Sequence, residues 1–498
     1  MTTKILFWVD RLLYHYGIAK YIQKNYSCEM STIYEVDSKL KKIFQEQNSV
    51  KFQNEWYFWD HVKLNNKPDI NYLKTIEKKY KINLWLWAYN DRLLYGYNQL
   101  YKFKYDEILS ITEQTCKFFE CVLDDAKPDY LIIKNPDSHR THLLKLMCDA
   151  KNIKTLMITP PRLTGRTSIK YDTLHPTIND NTSNISTSDF NIEQIRNKHH
   201  ASKYQETIAL SSTIPLKRKL LPALEWLSTP LNNYDKNLYT RFGISKLAVL
   251  KIQLLTYFRK NNRKKFIDEN FITNVQPNKK FVYFALQVQP ERTISIDAPF
   301  NNNQIDIITN IAKSVPVDFL IYVKEHPIQV SYAWRPISYY KKIMSLPNVI
   351  MVHPSANSDE LMQKSSIVAT ISGTVGLECG FYNKHCITFT DTEFSHLSHV
   401  HRIKNMEELP NKIKDCIDKK VDINEIQSFY EKIFNNSFAI DETDVDNDIM
   451  HTFFQGNWTL RNDMSISILD QFFEDRQSIF EEIANEFIKC IEMTNIKN

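Results

Sequence analysis

The chain has 498 residues, too many for one ordinary hydrophobic core, so two domains are expected. Hydrophobic residues at 43% and charged residues at 24% describe a globular protein and exclude wholesale disorder. A net charge of +5 is mild and demands no nucleic-acid partner.

The cysteines Cys28, Cys116, Cys121, Cys148, Cys379, Cys386, Cys416 and Cys490 form no Cys-x-x-Cys pair and no Cys/His ladder of zinc-finger spacing. They are expected to be reduced, mostly buried thiols of a cytoplasmic protein. The N-terminal apolar run Ile5 to Val9 is too short for a signal-peptide core, and no window approaches the roughly 20 apolar residues of a membrane span.

In chain order, residues 4–9 read as a buried strand ending at Asp10, followed by a helix containing Gly17. No Gly-x-Gly-x-x-Gly follows, which argues against a plain dinucleotide site. Residues 31–36 and 50–59 are candidate strands, the second carrying the aromatic group Trp56 to Trp59. A long helical pattern covers 105–126 and is broken at Lys127-Pro128-Asp129. The strand 130–134, the polar loop Asn135 to Arg140, a helix over 141–150 and the strand 154–159 then make a right-handed βαβ unit. From Arg162 the composition turns to Asn, Thr, Ser and Asp, and 174–190 reads as a surface excursion. Helices are expected over 215–227 and 244–266. The second carries Lys251, Arg259, Lys260, Arg263, Lys264 and Lys265, and reads either as a solvated helix end or as a surface for anionic headgroups. Residues 273–279 read as a linker.

Beyond the linker, strands at 281–286, 319–323, 349–352, 367–371 and 386–389 alternate with helical spacers, the rhythm of a second parallel sheet. Ligands of such sheets sit beyond the carboxyl ends of the strands, and three of these strands stop in polar loops. The first loop is Gln287-Val288-Gln289-Pro290-Glu291-Arg292-Thr293. There Arg292 suits a phosphate, and Gln287 and Gln289 suit a base or sugar, although loop salt-bridging explains them equally well. The second is Lys324-Glu325-His326-Pro327, whose imidazole the proline holds at the strand end, where it can donate to a phosphate oxygen. The third, Ser372-Gly373-Thr374-Val375-Gly376-Leu377-Glu378, offers hydroxyls, close backbone approach and a following helix, with Glu378 near enough for a ribose hydroxyl. It lacks the Gly-Lys-Ser/Thr ending of a Walker loop. Residues 408–421 are the last helix of this domain. Helical patterns follow at 422–434 and 463–494, with Asp444, Asp446 and Asp448 in an acidic segment between them.

These three loops, in this order, resemble bacterial capsule and surface polysaccharide biosynthesis proteins, a group similar to the capsular Kdo transferases. Tyr-Gly-Ile-Ala-Lys-Tyr, Ala-Tyr-Asn-Asp-Arg and Lys-Pro-Asp-Tyr-Leu-Ile in the N-terminal half agree more loosely. The resemblance implies an α/β GT-B-like fold, with two Rossmann-like parallel-sheet domains facing a cleft and C-terminal helices packing back across it. The expected domains are 1–272, with an insertion over about 162–270, then 280–421 and the helices of 422–498. It implies a glycosyltransferase moving a CMP- or UDP-linked sugar to a capsule or other surface glycan, with His326, Ser372 and Thr374 holding the donor phosphate. Gln287, Gln289, Arg292, Lys324, Gly373 and Glu378 complete the donor-side candidates.

Glycosyl transfer also needs a stabilised leaving phosphate and, where the enzyme inverts, a base for the acceptor hydroxyl. Asp10 is the first candidate base, and His15, Asp91, Asp137 and His139 are the further acceptor-side candidates. No Asp-x-Asp stands at a strand end of the donor domain, so a metal-independent enzyme without cofactor is expected. A nucleotide-sugar epimerase, a polyol-phosphate transferase and a non-catalytic capsule-assembly scaffold remain as alternatives. The expected partners are the donor and a glycan or glycolipid acceptor, with peripheral contact at the inner membrane face or with assembly proteins.

Overall fold

The computed structural model describes residues 2–64, 67–172, 233–236, 238–274, 279–454 and 464–496. The excursion expected at 174–190, the helix expected at 215–227 and most of the linker lie outside these residues. Two compact units emerge. One comprises the described residues within Met1–Ile185, Ile214–Lys246 and Phe434–Asn498, and the other those within Leu247–Ile433.

The first unit holds β1 (Thr3–Asp10), β2 (Cys28–Glu35), β3 (Asn54–Tyr57), β4 (Tyr130–Lys134), β5 (Lys154–Thr159) and β6 (Ser168–Lys170). They lie in the order β3-β2-β1-β4-β5-β6, all parallel except β6, which runs antiparallel to β5. Successive side chains of a strand point to opposite faces, so a central strand covered on both sides must be apolar throughout. In β1, accordingly, Ile5, Phe7 and Val9 enter one core and Leu6 and Trp8 the other. The aromatic group divides at the end of β3, where Phe58 and Trp59 begin the helical turn Phe58–His61 and are buried. The helix Tyr105–Ala126 stops at Lys127, in the left-handed region ahead of Pro128.

The second unit holds β7 (Lys280–Ala285), β8 (Phe319–Lys324), β9 (Val349–Val352), β10 (Ile367–Ala369), β11 (Cys386–Thr388) and β12 (Val400–Arg402). They are parallel throughout, in the order β12-β11-β10-β7-β8-β9. Counted from the first strand of each unit, both sheets follow 3-2-1-4-5-6, the order of a doubly wound nucleotide-binding domain. The fold is thus α/β and GT-B-like, with two Rossmann-like units and a helical C-terminus.

Three boundaries differ from expectation. The helix Lys246–Asn270, placed with the N-terminal half from its sequence, enters the second unit's core through Ile267, and Phe271 follows it in. The helix Ile423–Asn435 also belongs largely to the second unit, where Tyr430 stacks on Phe381 at 5.7 Å. The acidic segment is not a connector but part of the helix Glu442–Phe454, where Asp446 pairs with Lys134 and Asp448 with Arg476. All eight cysteines are free thiols, and no helix among the described residues is long and apolar enough to cross a membrane.

The C-terminal helices complete the first unit's core. Phe473, Phe480 and Phe487 join Phe7 and Tyr34 there, and the Tyr21 hydroxyl donates to the Phe473 carbonyl at 2.8 Å. Gly17, in the helix Tyr14–Asn25, permits this approach, because a Cβ there would stand 2.3 Å from Phe473 Cε1 and 2.9 Å from Phe480 Cδ1. Gly17→Val is therefore expected to destabilise the protein by about 2–3 kcal/mol through overpacking, despite the better helix propensity of the larger residue. Urea unfolding followed by tryptophan fluorescence measures this, and a neutral result would mean that the helices part at little cost.

Candidate functional site

In the second sheet the chain leaves β7 toward β8 on one side, and β10 leads to β11 on the other, so the loops after β7 and β10 diverge at a topological switch point. Gln287 and Ser372 meet there. The Gln287 side-chain amide donates to Ser372 Oγ at 2.9 Å, and the Ser372 backbone amide donates to Gln287 Oε1 at 3.1 Å. Ser372 Oγ donates in turn to the Thr293 carbonyl at 3.1 Å. Gln289 exchanges bonds with Gln329 in the same reciprocal way, both at 3.0 Å. The two glutamines expected to read a base or sugar therefore tie the loops to one another.

Beneath them lies an ion pair. Glu325 is 0% and Arg335 4% exposed, with Arg335 Nε donating to Glu325 Oε2 at 2.8 Å. The guanidinium also donates to the Gln287 carbonyl at 2.5 Å and to Gln289 Oε1 at 2.7 Å, and the Tyr340 hydroxyl donates to Glu325 Oε2 at 2.8 Å. Arg335 is presented by Ala333 and Trp334, at φ 58° and 59°. Left-handed backbone costs a side-chain-bearing residue roughly 1–2 kcal/mol. Arg263 holds the pair in place by donating to the carbonyls of Ala333 at 3.0 Å and Trp334 at 2.8 Å.

His326 follows β8 in extended conformation, and Pro327 opens the 3-10 turn Pro327–Tyr332. Its Nδ1 accepts from the Ile328 amide at 3.2 Å, which places the proton of the neutral ring on Nε2. Lys324 is buried with Nζ bonded to Ser358 Oγ at 2.5 Å, and Arg292 is paired with Asp297 at 2.9 Å. The Gly373 amide donates to Thr370 Oγ1 at 3.2 Å, and a Cβ at 373 would lie 2.7 Å from that oxygen, so the glycine serves the loop's own close packing. Thr374 is half-buried, with no cap bond from its side chain. The expected helix after it is a single turn, Val375–Glu378, and Glu378 is buried.

The first sheet's switch point lies between β1 and β4. Register sets Asp10 beside Glu35 at the carboxyl ends of β1 and β2. Asp10 accepts from the Leu12 amide at 2.9 Å. Burial, followed by the charge of Glu35, pushes its carboxyl up to about 6. Glu35 is also raised by burial, although Arg140, 2.5 Å away, pulls it back. Arg140 lies over the Trp59 ring, 5.5 Å from its centre, and donates to the Tyr239 hydroxyl at 3.4 Å.

Asp91 is used as a cap. It accepts from the amides of Leu93 at 2.7 Å, Leu94 at 3.1 Å and His139 at 3.0 Å, the last at the start of the helix His139–Ala150. His139 is buried with no hydrogen-bond partner on either ring nitrogen, and burial lowers its pKa. Burial, then Lys134, brings His15 down to about 3, so it is neutral at ordinary pH. Asp137 pairs with Arg92 at 2.8 Å near the surface. Lys134 is bonded to Glu442 at 2.7 Å. Glu35, Arg140 and Arg335 were not among the expected site residues, although Arg140 ends the polar loop after β4 and Arg335 precedes a proline as His326 does.

Among the described residues, one group combines side chains of metal-ligating type. His385, His401 and Cys416 hold their ligand atoms within 4.8 Å of one another. The imidazoles bond to each other, Nδ1 to Nε2, at 2.8 Å, and His385 Nε2 lies 3.3 Å from the Lys420 carbonyl. Burial and then His385, with Lys412 and Lys419 nearby, bring His401 down to about 4.

Removing one member of a buried pair strands the other charge, which costs about 3–5 kcal/mol. Arg335→Ala is expected to lower stability by that amount, and the double variant Glu325→Gln/Arg335→Met to recover much of it. Chemical denaturation of the set measures the coupling, and independent, additive effects would remove the pair from this role.

No curated protein matches the chain by sequence. Among solved structures, it is similar to UDP-GlcNAc 2-epimerase from Methanocaldococcus jannaschii, at 14% identity over 85% of this chain and 94% of that one, with a TM-score of 0.25. The corresponding epimerase of Neisseria meningitidis bound to UDP-GlcNAc gives 14% identity over 90% and 99%, with a TM-score of 0.22. The KpsC beta Kdo 2,4 transferase of Thermosulfurimonas dismutans gives 10% over 65% and 87%, with a TM-score of 0.31. Residues 177–397, which include β7 to β11 and the switch-point loops, match the family model described as capsule polysaccharide biosynthesis protein, and over that segment the resemblance read from the loops is shown.

Proposed function

We propose that the protein is a glycosyltransferase of capsule or other surface-glycan synthesis that takes its sugar from a nucleotide donor, CMP- or UDP-linked. The observation that carries this reading is the braced switch point of the second sheet, lying inside the segment that matches the capsule family. In this reading His326 Nε2–H and the Thr374 hydroxyl receive the donor phosphates, which compete with the Thr293 carbonyl for the Ser372 hydroxyl proton, with Thr370 Oγ1 for the Gly373 amide and with Asp297 for Arg292. Gln287, Gln289 and Lys324 position these groups rather than read the donor. Asp10 accepts the proton of the acceptor hydroxyl as its oxygen bonds to the anomeric carbon and the sugar–phosphate bond breaks. The nucleotide keeps that bonding pair as it leaves. We further propose that cationic and neutral donors of the protein, without a metal or cofactor, meet the phosphate charge, and that the enzyme works as a cytoplasmic protein at the inner membrane face on a glycan or glycolipid acceptor.

Calorimetric titration with UDP, CMP and their sugars is expected to find binding by at least one. His326→Ala should weaken it about tenfold through loss of a hydrogen bond to a charged group. Absence of binding across the panel overturns the reading, and a sugar altered on its nucleotide without acceptor would favour epimerisation.

Asp10 also predicts a pH dependence. The base must be ionised, so turnover is expected to fall as pH drops through about 6, and Asp10→Asn to lose about a hundredfold or more in kcat. Stability runs the other way. The folded carboxyl holds its proton to about 6 against an ordinary value of 3.8, so its contribution to folding is present at low pH and lost as pH rises through that window. At pH above this window Asp10→Asn should therefore gain roughly 1–2 kcal/mol, with allowance for partial exposure. An acid limb retained in the variant would assign the base to another residue.

A further inference from the structure

The helix Lys246–Asn270 is anchored at its C-terminal end. Its last turns are anchored in the second unit by buried Ile267, by Phe266 stacked on Tyr340 at 6.4 Å, and by Arg263 on the carbonyls of Ala333 and Trp334. Before Ile267 it buries no residue. Leu247 is 80%, Tyr257 62% and Phe258 65% exposed, and Leu250, Leu254 and Leu255 are exposed as well. Leu247, Leu250, Leu254, Tyr257 and Phe258 stand at i, i+3, i+7, i+10 and i+11, one stripe of an α-helix. A contiguous apolar stripe of this kind on a folded protein marks an interaction surface.

The charge around the stripe selects its occupant. From Lys246 to Lys265 the helix carries seven basic residues and no acid. Lys264 and Lys265 have i,i+4 partners in Asp268 and Glu269, whereas Lys251 flanks the stripe and Arg259 follows it. A second copy of the chain would set this basic surface against itself. A bilayer with anionic headgroups satisfies both features, since leucine and aromatic side chains enter the acyl boundary and lysine and arginine stay at the headgroups.

We propose that the helix Lys246–Asn270 docks the protein on an anionic lipid bilayer, with Leu247, Leu250, Leu254, Tyr257 and Phe258 entering the interface and Lys251 and Arg259 contacting the headgroups. This deepens the membrane-face part of the functional reading and rests on it, while requiring nothing of the transfer chemistry.

Flotation of the full chain with phosphatidylcholine vesicles, with and without phosphatidylglycerol, tests the proposal. Binding is expected to be at least tenfold stronger with phosphatidylglycerol and to weaken as salt is raised. Leu254→Glu/Phe258→Glu should lower it about tenfold or more, and Lys251→Gln/Arg259→Gln should reduce the preference for anionic lipid. Because these side chains are exposed, circular dichroism and nucleotide titration of the variants should match the parent. No binding to either vesicle overturns both the docking helix and the membrane-face reading. Anionic binding that the Leu254/Phe258 variant retains overturns the helix alone. A dimer in light scattering that the same variant dissolves would assign the stripe to a second copy and overturn the proposal. Unchanged nucleotide affinity alongside any of these leaves the donor reading standing.

Discussion

The second unit depends on one buried ion pair. Taking a guanidinium and a carboxylate out of water is costly, and the pair persists only if every remaining donor and acceptor is used. Glu325 receives Arg335, the Tyr340 hydroxyl and the His326 amide, while Arg335 spends its other donors on the Gln287 carbonyl and Gln289 Oε1. A lysine offers a point charge and could not span these acceptors with a planar fork. The loops after β7 and β8 are thus fixed by one side chain, and Gln287 extends the constraint to the loop after β10. The three loops are thereby held to one another by side chains that are themselves buried.

Two sheets of the same strand order carry different chemistry at their carboxyl ends. In the second unit the exposed or half-buried groups are hydroxyls, amides and an imidazole whose cap bond fixes the proton on Nε2. In the first, Asp10 and Glu35 are brought side by side by register, and only Glu35 receives an arginine. Two neighbouring carboxyls in a desolvated place hinder each other's ionisation. Burial and then Glu35 raise Asp10, while burial also raises Glu35 and Arg140 draws it back. The division follows from topology and from the placing of Arg140: one set of strand ends presents hydroxyls, amides and an imidazole, and the other a pair of carboxyls with one arginine.

Much of this was legible in the sequence. The strands 130–134 and 154–159 stand where the apolar runs place them, and the helix 105–126 ends at the lysine before the proline. The loops after β7, β8 and β10 do lie at the carboxyl ends of neighbouring strands. Short edge strands such as β6 and β12 were not visible, because three residues give no periodicity to read. Side-chain roles were harder still. Gln287 and Ser372 are 85 residues apart and bond each other, so residue types that suit a ligand were serving the fold. Glu35 gains its meaning from the register opposite Asp10, and Arg335 from a left-handed turn that no local pattern announces. The helix 246–270 was placed with the wrong unit because its periodicity does not say which core Ile267 will enter.

That helix also shows why its two ends cannot be considered separately. Arg263 bonds the carbonyls of Ala333 and Trp334, the two residues whose left-handed backbone delivers Arg335 to Glu325. The helix axis is therefore set by the same loop that braces the switch point, and the stripe from Leu247 to Phe258 projects in a direction fixed in the frame of that site. A surface held this way is rigid relative to the second unit, since an α-helix transmits its orientation along its length with little bending over so few turns. A flexible basic tail would leave its orientation relative to the switch point free. An anchored helix ties the direction of its exposed stripe to the switch point, and the cost of the left-handed pair is offset where Arg263 makes that connection.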